Sequence, residues 1–264
     1  MKFHGKRVWI TGASSGIGAE MAKQVAGKVA LLIISGLEKE ELEAIRASIP
    51  LEQTVVVALP FDLGDFVQVE NAAREVLEKF GGVDILINNG GISQRGYSAE
   101  TTIAVDRHIM EVNFFSQVHL TKLLLPSMLK QGSGHIAVTS SMVGKFGFPL
   151  RSSYAASKHA LQGYFETVGL EYFDKGIRTT VASPGRIRTN ISVNAILGTG
   201  QKHGIMDPGQ ASGMSAEKCA RRYIRAIERD QWETYIGNSE ILMIWFKRFI
   251  PAIFRRLALR VSIR

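Results

Sequence analysis

A tyrosine, a lysine and a serine in the second half of this sequence have the spacing of an acid/base centre. Of the six tyrosines, only Tyr154 is followed four positions later by a lysine, Lys158, and Ser141 lies thirteen positions before it. Residues four apart share one face of a helix, so the phenol and the ammonium would lie side by side. An adjacent cation lowers the pKa of a phenol from its usual value of about 10. The pair is therefore predicted to protonate a carbonyl, or to deprotonate an alcohol, near neutral pH.

The elements that must position these side chains alternate between strands and helices. Short β-branched runs separated by helical patterns predict βαβ units and a parallel sheet. The predicted strands are Arg7–Ile10, Val29–Ile34, Thr54–Leu59, Ile85–Asn88, His135–Thr139, Arg178–Ala182 and Glu233–Ile236. The predicted helices are Ile17–Ala26, Glu38–Ile49, Phe66–Phe80, a long one around Asp106–Leu129, Ser153–Asp174 and Ser215–Arg229. Because several strands are apolar throughout and no linker divides the chain, we predict one doubly wound α/β domain over residues 1–240, with a mostly parallel seven-stranded sheet and helices on both faces.

The turn after the first predicted strand has the composition of a phosphate-binding loop. Residues 11–18 read Thr-Gly-Ala-Ser-Ser-Gly-Ile-Gly and lead directly into a helix. Glycines let the backbone approach a pyrophosphate, and the helix N-terminus offers free N–H groups and a favourable dipole. An ordinary Gly/Ser-rich turn is the alternative, but the position between strand and helix favours nucleotide binding. The residues predicted to bind it are Gly12, Ser14, Ser15, Gly16, Ile17 and Gly18.

Two further motifs follow the third and fourth predicted strands. Asp62 and Leu63 come after the third strand, and Asn88-Asn89-Gly90-Gly91 comes after the fourth. Ligands of open α/β sheets bind at the carboxyl ends of the strands. Together with the glycine loop, these motifs are predicted to line one crevice.

The set of motifs resembles the short-chain dehydrogenase/reductase family over roughly Lys6 to Gly237. Asn113 and the run from Pro184 to Thr189 complete the family's order and spacing, and Gly90 stands where the family usually has alanine, with no functional consequence expected. The resemblance implies that Asp62 and Leu63 contact adenine and that Asn89 and Gly90 border the adjoining ribose. It also implies that a further segment lies along the nicotinamide, with Pro184, Gly185, Ile187 and Thr189 as its binding residues.

The same resemblance implies a catalytic tetrad of Asn113, Ser141, Tyr154 and Lys158. Tyr154 would act as general acid in reduction and general base in oxidation, and Ser141 would hold the substrate oxygen. Lys158 would lower the pKa of the phenol and bind the ribose of the cofactor. Asn113 would hold a water that connects Lys158 to solvent, the alternative being a buried side chain that caps a helix irregularity.

The end of the second strand bears on the choice of cofactor. An acidic residue there would bind a ribose 2′-hydroxyl and repel a 2′-phosphate. Gly36 and Leu37 occupy these positions, and the arginine that many NADP-using relatives carry nearby is also missing. Ser14 and Ser15 can donate hydrogen bonds to a phosphate, and Lys39 is close in sequence. The sequence therefore favours NADP(H) over NAD(H).

Composition excludes several classes of protein. The single cysteine, Cys219, cannot form an internal disulfide, which is typical of a reducing compartment. The histidines lack zinc-ligand spacing, so no metal site is predicted.

The net charge of +8 would by itself suggest a nucleic-acid partner. Six basic residues and no acidic one lie within 241–264, however, and the rest of the chain is nearly neutral. No nucleic-acid partner is therefore predicted. No apolar signal segment precedes the first strand, so a cytoplasmic location is expected.

The last 24 residues, 241–264, are both apolar and basic. Ile241–Phe246 is wholly apolar, and Pro251 then interrupts the chain. On a helix beyond it, one sector would hold Ile253, Phe254, Leu257, Ala258 and Val261, and the opposite sector Arg255, Arg256 and Arg260. Such a helix suits an anionic membrane interface and is too short to span a bilayer. Packing against a second subunit and a loosely disordered tail are the alternatives.

The segment from Arg186 to Ser215 is Gly-rich and irregular. The family resemblance implies that it forms a mobile lid over the substrate, and the alternative is a surface loop without function.

Residues 213–220 and the tail further resemble the 11-beta-hydroxysteroid dehydrogenase-like and dehydrogenase/reductase family member 7 subgroup. That resemblance implies a homodimer or homotetramer that oxidises or reduces a lipophilic substrate, such as a steroid, a retinoid or another lipid-like ketone or alcohol. A 3-oxoacyl-type or other small-carbonyl reductase, and a non-catalytic nucleotide-binding regulatory protein, are the alternatives.

Overall fold

Seven strands form one parallel sheet, whose order in space differs from the order in the chain. The computed structural model describes residues 2–50 and 54–260. The strands of the sheet are β1 (Arg7–Thr11), β2 (Leu31–Ser35), β3 (Val55–Ala58), β4 (Ile85–Asn88), β6 (Gly134–Thr139), β7 (Ile177–Pro184) and β11 (Glu233–Ile236). Their order is β11-β7-β6-β4-β1-β2-β3, and every pairing is parallel. The order reverses between β1 and β4, which opens a crevice at the carboxyl ends of these two strands.

Short strands and ten α-helices complete the described chain. Two-residue strands pair as β5 (Gln94–Arg95) with β9 (Ile196–Leu197) and as β8 (Ile187–Arg188) with β10 (Met214–Ser215). The helices are α1 (Gly16–Val25), α2 (Lys39–Ala47), α3 (Phe66–Phe80), α4 (Ile103–Met110), α5 (Ser116–Gln131), α6 (Ser152–Glu171), α7 (Pro208–Ala211), α8 (Ala216–Glu228), α9 (Leu242–Phe249) and α10 (Pro251–Arg260).

Helices cover both faces of the sheet, which confirms the predicted fold class. On one face, Met21 of α1, Leu42 of α2 and Tyr223 of α8 are fully buried in one apolar cluster. On the other, α3, α5 and α6 bury a second cluster that includes Leu124 and Phe165. All five residues of β2 are buried, because this strand is covered on both sides. Each large side chain removed from water in this way contributes about 1.5–3 kcal/mol.

The long helix predicted around Asp106–Leu129 is interrupted. A π-turn over Glu111–Phe115 separates α4 from α5. A π-turn inserts one extra residue into a helix and is frequent at functional sites. Its extra residue rotates the following side chains, and the buried Asn113 lies within it.

The segment 186–215 is more ordered than its composition predicted. It contains β8, β9, α7 and β10, and β9 pairs with β5 at Gln94 and Arg95. The carboxylate of Asp207, immediately before α7, forms ion pairs with Arg95 and Arg151. The function of this segment as a substrate lid stays a prediction.

The tail forms two helices, α9 and α10, that separate at Ile250 and Pro251. Ile244 of α9 is buried and Phe254 of α10 packs on Phe146, with ring centroids 5.2 Å apart. The apolar side chains left exposed are Leu242, Trp245, Phe249, Ile250, Ile253, Leu257 and Leu259. Val261, which was assigned to the apolar sector, and the remaining residues to 264 lie outside the described residues. Within 2–50 and 54–260, none of the helices has the length and apolarity needed to cross a bilayer.

Candidate active site

The loop between β1 and α1 is built so tightly that its glycines cannot carry side chains. A Cβ on Gly12 would lie 2.6 Å from Gly90 Cα, and a Cβ on Gly18 would lie 2.1 Å from the Gly12 carbonyl oxygen. Gly12 and Gly16 also have φ of +62° and +57°, which disfavours other residues. Ser15, at the N-cap of α1, makes no side-chain capping bond, and the first turn has no acidic residue. The N–H groups at this end of the helix therefore suit an anion.

Asn89 joins the glycine loop to the neighbouring strands. Its backbone N–H and that of Gly90 donate to Thr11 Oγ1, at 3.0 and 3.1 Å. Its side-chain Nδ2 donates to the carbonyls of Thr11 and Gly12, and its Oδ1 accepts from Thr139. The carboxyl ends of β1, β4 and β6 are thus held together by the hydrogen bonds of one side chain and its neighbour.

Leu63 gives a steric reason for glycine at position 90. A Cβ on Gly90 would lie 2.4 Å from Leu63 Cδ1, so the leucine side chain fills the place of the alanine methyl group. Asp62 accepts a hydrogen bond from the N–H of Gly64 at 2.7 Å, which fixes the turn that carries both predicted adenine contacts. Both residues lie at the carboxyl side of β3.

The segment after β7 reaches the glycine loop. Thr189 is beside Gly16, where a Cβ would lie 3.0 Å from Thr189 Cγ2. Ile187 is buried and pairs with Met214 in the small β8–β10 ladder. Thr189 of this segment therefore lies against the loop of residues 11–18.

Close to the carboxyl end of β6, Ser141, Tyr154 and Lys158 come together. Tyr154 and Lys158 lie one turn apart on α6, with Lys158 Nζ 5.8 Å from the centroid of the phenol ring. Lys158 Nζ donates to the carbonyl of Thr139, the last residue of β6, at 2.8 Å. Ser141 caps the short 3₁₀ turn that follows this strand and accepts from the N–H of Val143. The structure thus brings Ser141, Tyr154 and Lys158 together.

The ionisation of this pair differs from the sequence-based expectation. Burial raises the pKa of Tyr154 above its ordinary value, and the Ser141 hydroxyl and the guanidiniums of Arg151 and Arg95 offset this rise only in part. Burial also lowers the pKa of Lys158 from 10.5 to about 7. The phenol pKa is therefore raised where the spacing predicted a lowering, because removal from water outweighs the attraction of nearby charges.

Asn113 holds the loop after β4 rather than facing solvent. Its Oδ1 accepts from the N–H of Ile92 at 2.8 Å, and its Nδ2 donates to the Ile92 carbonyl and to Ser157 Oγ. A Cβ placed on Gly91 would lie 2.8 Å from Asn113 Oδ1 and 3.3 Å from Lys158 Nζ. The amide oxygen and the amine thus lie on the same side of Gly91, and Oδ1 keeps one lone pair free of these bonds.

Comparison with known proteins agrees with this arrangement. The profile of the short chain dehydrogenase family matches residues 6–197. Dehydrogenase/reductase SDR family member 7B of Xenopus laevis is 40% identical over 256 residues, which cover 94% of this chain and 79% of the relative. The SDR family protein 7-like of Anopheles gambiae is 39% identical, with 95% and 81% covered.

The chain belongs to the short chain dehydrogenase family. The family identifies it as an oxidoreductase, and the predicted resemblance to the member 7 subgroup is confirmed. A short-chain dehydrogenase/reductase of Burkholderia phymatum, solved in complex with NAD, shares the fold with a TM-score of 0.81 at 24% identity, over 96% of each chain. An alcohol dehydrogenase of Thermococcus sibiricus, complexed with 5-hydroxy-NADP, has a TM-score of 0.74 at 25% identity, over 88% of this chain and 96% of its own.

One charged cluster beside the candidate site of this dehydrogenase was missed by the sequence reasoning. Arg95, which is 7% exposed, donates to Asp207 Oδ2 at 2.6 Å through one guanidinium nitrogen, and Arg151 donates to the same oxygen at 2.9 Å. Residues so far apart in the chain give no spacing signal. The available signal was the polar run Ser93-Gln94-Arg95, which begins one residue after the glycine motif of residues 88–91, where apolar residues would be expected in a buried strand.

Proposed function

We propose that this protein interconverts a carbonyl and a secondary alcohol, with Tyr154 as the proton donor or acceptor. The observation that carries the proposal is the buried Tyr154 phenol, one helical turn from Lys158 and beside Ser141 at the end of β6. A nicotinamide dinucleotide, when bound, supplies or accepts the hydride. The protein has to hold the substrate oxygen and exchange one proton with it.

Each member of the proposed tetrad has one task. In reduction, Ser141 donates a hydrogen bond to the carbonyl oxygen, and Tyr154 delivers its proton to the same oxygen. The Lys158 amine, whose pKa is about 7, passes on a replacement proton near neutral pH. Asn113 supports a water at its remaining lone pair, beside Gly91 and Lys158. The reverse sequence serves oxidation.

The crevice residues fit a nicotinamide dinucleotide. The glycine loop leaves no room for side chains and presents the uncapped end of α1, which suits a pyrophosphate. The two similar structures named above carry NAD and 5-hydroxy-NADP. The proposed contacts are those predicted from the sequence, namely Gly12, Ser14, Ser15, Gly16, Ile17, Gly18, Asp62, Leu63, Asn89, Gly90, Tyr154, Lys158, Pro184, Gly185, Ile187 and Thr189.

NADP(H) is the preferred cofactor in this proposal. Ser14 Oγ would be 3.2 Å from a Cβ on Gly36, the residue that follows β2. A serine hydroxyl of the glycine loop therefore lies beside the end of β2, where Gly36 and Leu37 carry no carboxylate. A 2′-phosphate would find a donor there and no neighbouring acid on Gly36 or Leu37. Measuring kcat/KM with both cofactors tests the preference, and a higher value with NAD(H) would reverse it.

A lipophilic substrate fits the surroundings of Tyr154. The phenol belongs to an apolar cluster with Met142, Val143, Phe146 and Ile244, which come from the chain after β6 and from helix α9 of the tail. Apolar walls with a few polar groups are typical of sites for small organic ligands. Steroids, retinoids and other lipid-like ketones and alcohols are the substrates we propose, with the segment 186–215 as the lid over them.

The proposal is tested with a panel of carbonyls and alcohols, run in both directions with NADP(H) and NAD(H). Tyr154→Phe removes the exchangeable proton and keeps the ring, so turnover should fall at least about 10²-fold while cofactor affinity stays within a factor of two. A Tyr154→Phe variant as active as the unmodified enzyme would disprove the mechanism. Preference for short 3-oxoacyl or small carbonyl substrates would replace the lipophilic class, and tight cofactor binding without any turnover would favour a regulatory protein.

We also propose that the tail brings the protein to an anionic membrane surface from a cytoplasmic location. Its exposed apolar side chains alternate with Lys247, Arg248, Arg255, Arg256 and Arg260, and residues 241–260 include no acidic side chain. Flotation with vesicles of phosphatidylserine and phosphatidylcholine tests this against vesicles of phosphatidylcholine alone.

Removing three positive charges should weaken the flotation. Replacing Arg255, Arg256 and Arg260 together by glutamine should reduce binding to the anionic vesicles by about tenfold or more, since each basic residue near such a surface contributes about 1 kcal/mol. The matched control replaces three exposed basic residues of α3 and α5, namely Arg74, Lys122 and Lys130. Equal binding by both triple variants would favour the alternative, in which the tail packs in a homodimer or homotetramer, and sedimentation would then detect the assembly.

A further inference from the structure

The buried side chain of Gln94 is the observation that the proposed mechanism does not use. Ser93, Gln94 and Arg95 are 3%, 0% and 7% exposed, so three consecutive polar residues are removed from water beside the candidate site. Burying a polar group costs free energy unless hydrogen bonds compensate for its lost hydration. Each of these side chains should therefore have a partner that explains its presence.

Gln94 finds its partners at the start of α6. Its Oε1 accepts from the backbone N–H of Ser153 at 3.0 Å and from the hydroxyl of the same residue at 2.7 Å, and the N–H of Tyr154 points to it at 3.5 Å. Its Nε2 donates to Thr101 Oγ1 at 2.9 Å. All the hydrogen-bonding atoms of the carboxamide thus lie between α6 and the loop before α4.

The first turn of a helix has N–H groups that no residue of the helix can satisfy. In α6 the N-cap residue, Arg151, makes no capping bond with its side chain. Gln94, which is 59 residues away from Ser153, accepts the N–H of Ser153 and, at 3.5 Å, that of Tyr154 in its place. Tyr154 is the third residue of the helix, so the turn that Gln94 holds is the turn that carries the phenol.

We propose that Gln94 is a positioning residue that holds Tyr154 in place by capping the first turn of α6 from a neighbouring strand. The proposal rests on the proposed function of Tyr154. Gln94 does not contact the reacting atoms, and it acts through the backbone of residues 153 and 154. Misplacement of a reacting group by about 1 Å can cost about 10²-fold in rate.

The same strand also holds the segment 186–215. Gln94 and Arg95 pair with Ile196 and Leu197, and Arg95 forms the ion pair with Asp207. Strand β5 is therefore bound on one side to the turn that carries Tyr154 and on the other to the segment 186–215. This double attachment explains why a two-residue strand buries two polar side chains.

Gln94→Met and Gln94→Glu separate capping from packing. Methionine has a similar shape but accepts no comparable hydrogen bond, whereas glutamate keeps an oxygen acceptor at the same place. We expect amide hydrogen exchange of residues 152–155 to become about tenfold faster or more in Gln94→Met, with recovery of most of the protection in Gln94→Glu. Val76→Ala, a buried substitution in α3, is the control for a general loss of stability.

Turnover supplies the second readout, using the carbonyl that the unmodified enzyme reduces fastest in the panel. Gln94→Met should lower kcat by about 10- to 100-fold with KM and cofactor Kd within about threefold, and Gln94→Glu should recover most of kcat. Unchanged exchange at 152–155, or unchanged kcat in Gln94→Met while Tyr154→Phe is inactive, would overturn the inference. If Tyr154→Phe retains full turnover, the proposed function fails instead, and the exchange data alone decide whether Gln94 caps α6.

Discussion

Burial shifts the two titratable groups at the candidate centre in directions that favour their neutral forms. The pKa of Tyr154 is raised, and that of Lys158 is lowered to about 7, in both cases mainly because the side chains are removed from water. A neutral phenol is the form that protonates a carbonyl in the proposed mechanism. Oxidation needs the phenolate, which the guanidiniums of Arg151 and Arg95 help to stabilise.

Two helical glycines give a residue-scale prediction because their surroundings differ. A Cβ on Gly18 would meet the Gly12 carbonyl oxygen at 2.1 Å, whereas nothing lies within 4 Å of a Cβ on the exposed Gly163 in α6. Gly18→Ala should therefore distort the glycine loop and weaken cofactor binding by at least about tenfold, measured by calorimetric titration. Gly163→Ala should leave binding unchanged and stabilise the protein by about 0.5–1 kcal/mol in urea unfolding. Equal affinities for both variants would contradict the assigned role of the loop.

At the scale of elements, the candidate site is assembled from parts that are far apart in the chain. Helix α6 supplies Tyr154 and Lys158, the end of β6 supplies Ser141, and the π-turn supplies Asn113. Two kinds of contact hold these parts in register, namely the Gln94 bonds to α6 and the Asp207 ion pairs. The carboxylate of Asp207 is partly desolvated, but hydrogen bonds and charge from Arg95 outweigh this effect and lower its pKa.

Asp207→Asn should loosen the segment 186–215. Asparagine keeps the shape but leaves the buried guanidinium of Arg95 without its counter-ion, which typically costs several kcal/mol in a buried pair and less here, where Asp207 is partly exposed. We expect limited proteolysis within residues 190–210 to be about tenfold faster, and KM to rise more than kcat falls. Glu217→Gln removes an exposed ion pair with Arg221 and is the control. Identical cleavage rates for the two variants would show that the ion pairs do not hold the segment.

At the scale of the whole molecule, both faces of the sheet carry large apolar clusters, and the sheet also buries one histidine. His135 of β6 is 2% exposed, and its Nε2 is 2.9 Å from Thr180 Oγ1. Burial, together with the charges of Lys2 and Arg178, lowers the pKa of His135 from 6.5 to about 3. Asp230 lies 3.4 Å from Nδ1, but this carboxylate is half-exposed to water and does not offset the effect of burial.

The protein should therefore lose stability as the pH falls from about 6.5 towards 3. In that range the unfolded chain binds a proton at His135 that the folded protein rejects, so the free energy of unfolding decreases with acidification and is fully retained above pH 6.5. The difference between pH 7 and pH 5 should be about 2 kcal/mol from this residue, measured by urea unfolding. His135→Gln should flatten this slope relative to the exposed-site variant His4→Gln. A slope that is the same in both variants would assign the acid sensitivity to other groups.

The amino-acid sequence by itself determined the fold class and the members of the candidate site. Apolar strands such as β2 allow only a sheet covered on both faces, and glycine at position 18 is required by a close contact with the Gly12 carbonyl oxygen of the same loop. These are local constraints, so period, composition and spacing reveal them. The resemblance to a known family supplied the tetrad, because its residues recur at fixed intervals.

Only the tertiary structure decided how the site is held and how it ionises. The Gln94 bonds to Ser153 and the bridge from Asp207 to Arg95 and Arg151 join residues 56 to 112 positions apart, and no periodicity links such positions. The pKa of Tyr154 also depends on burial that all surrounding elements create together. A spacing of four residues shows that a phenol and an amine can share a helix face, whereas the balance between desolvation and charge exists only in the folded molecule.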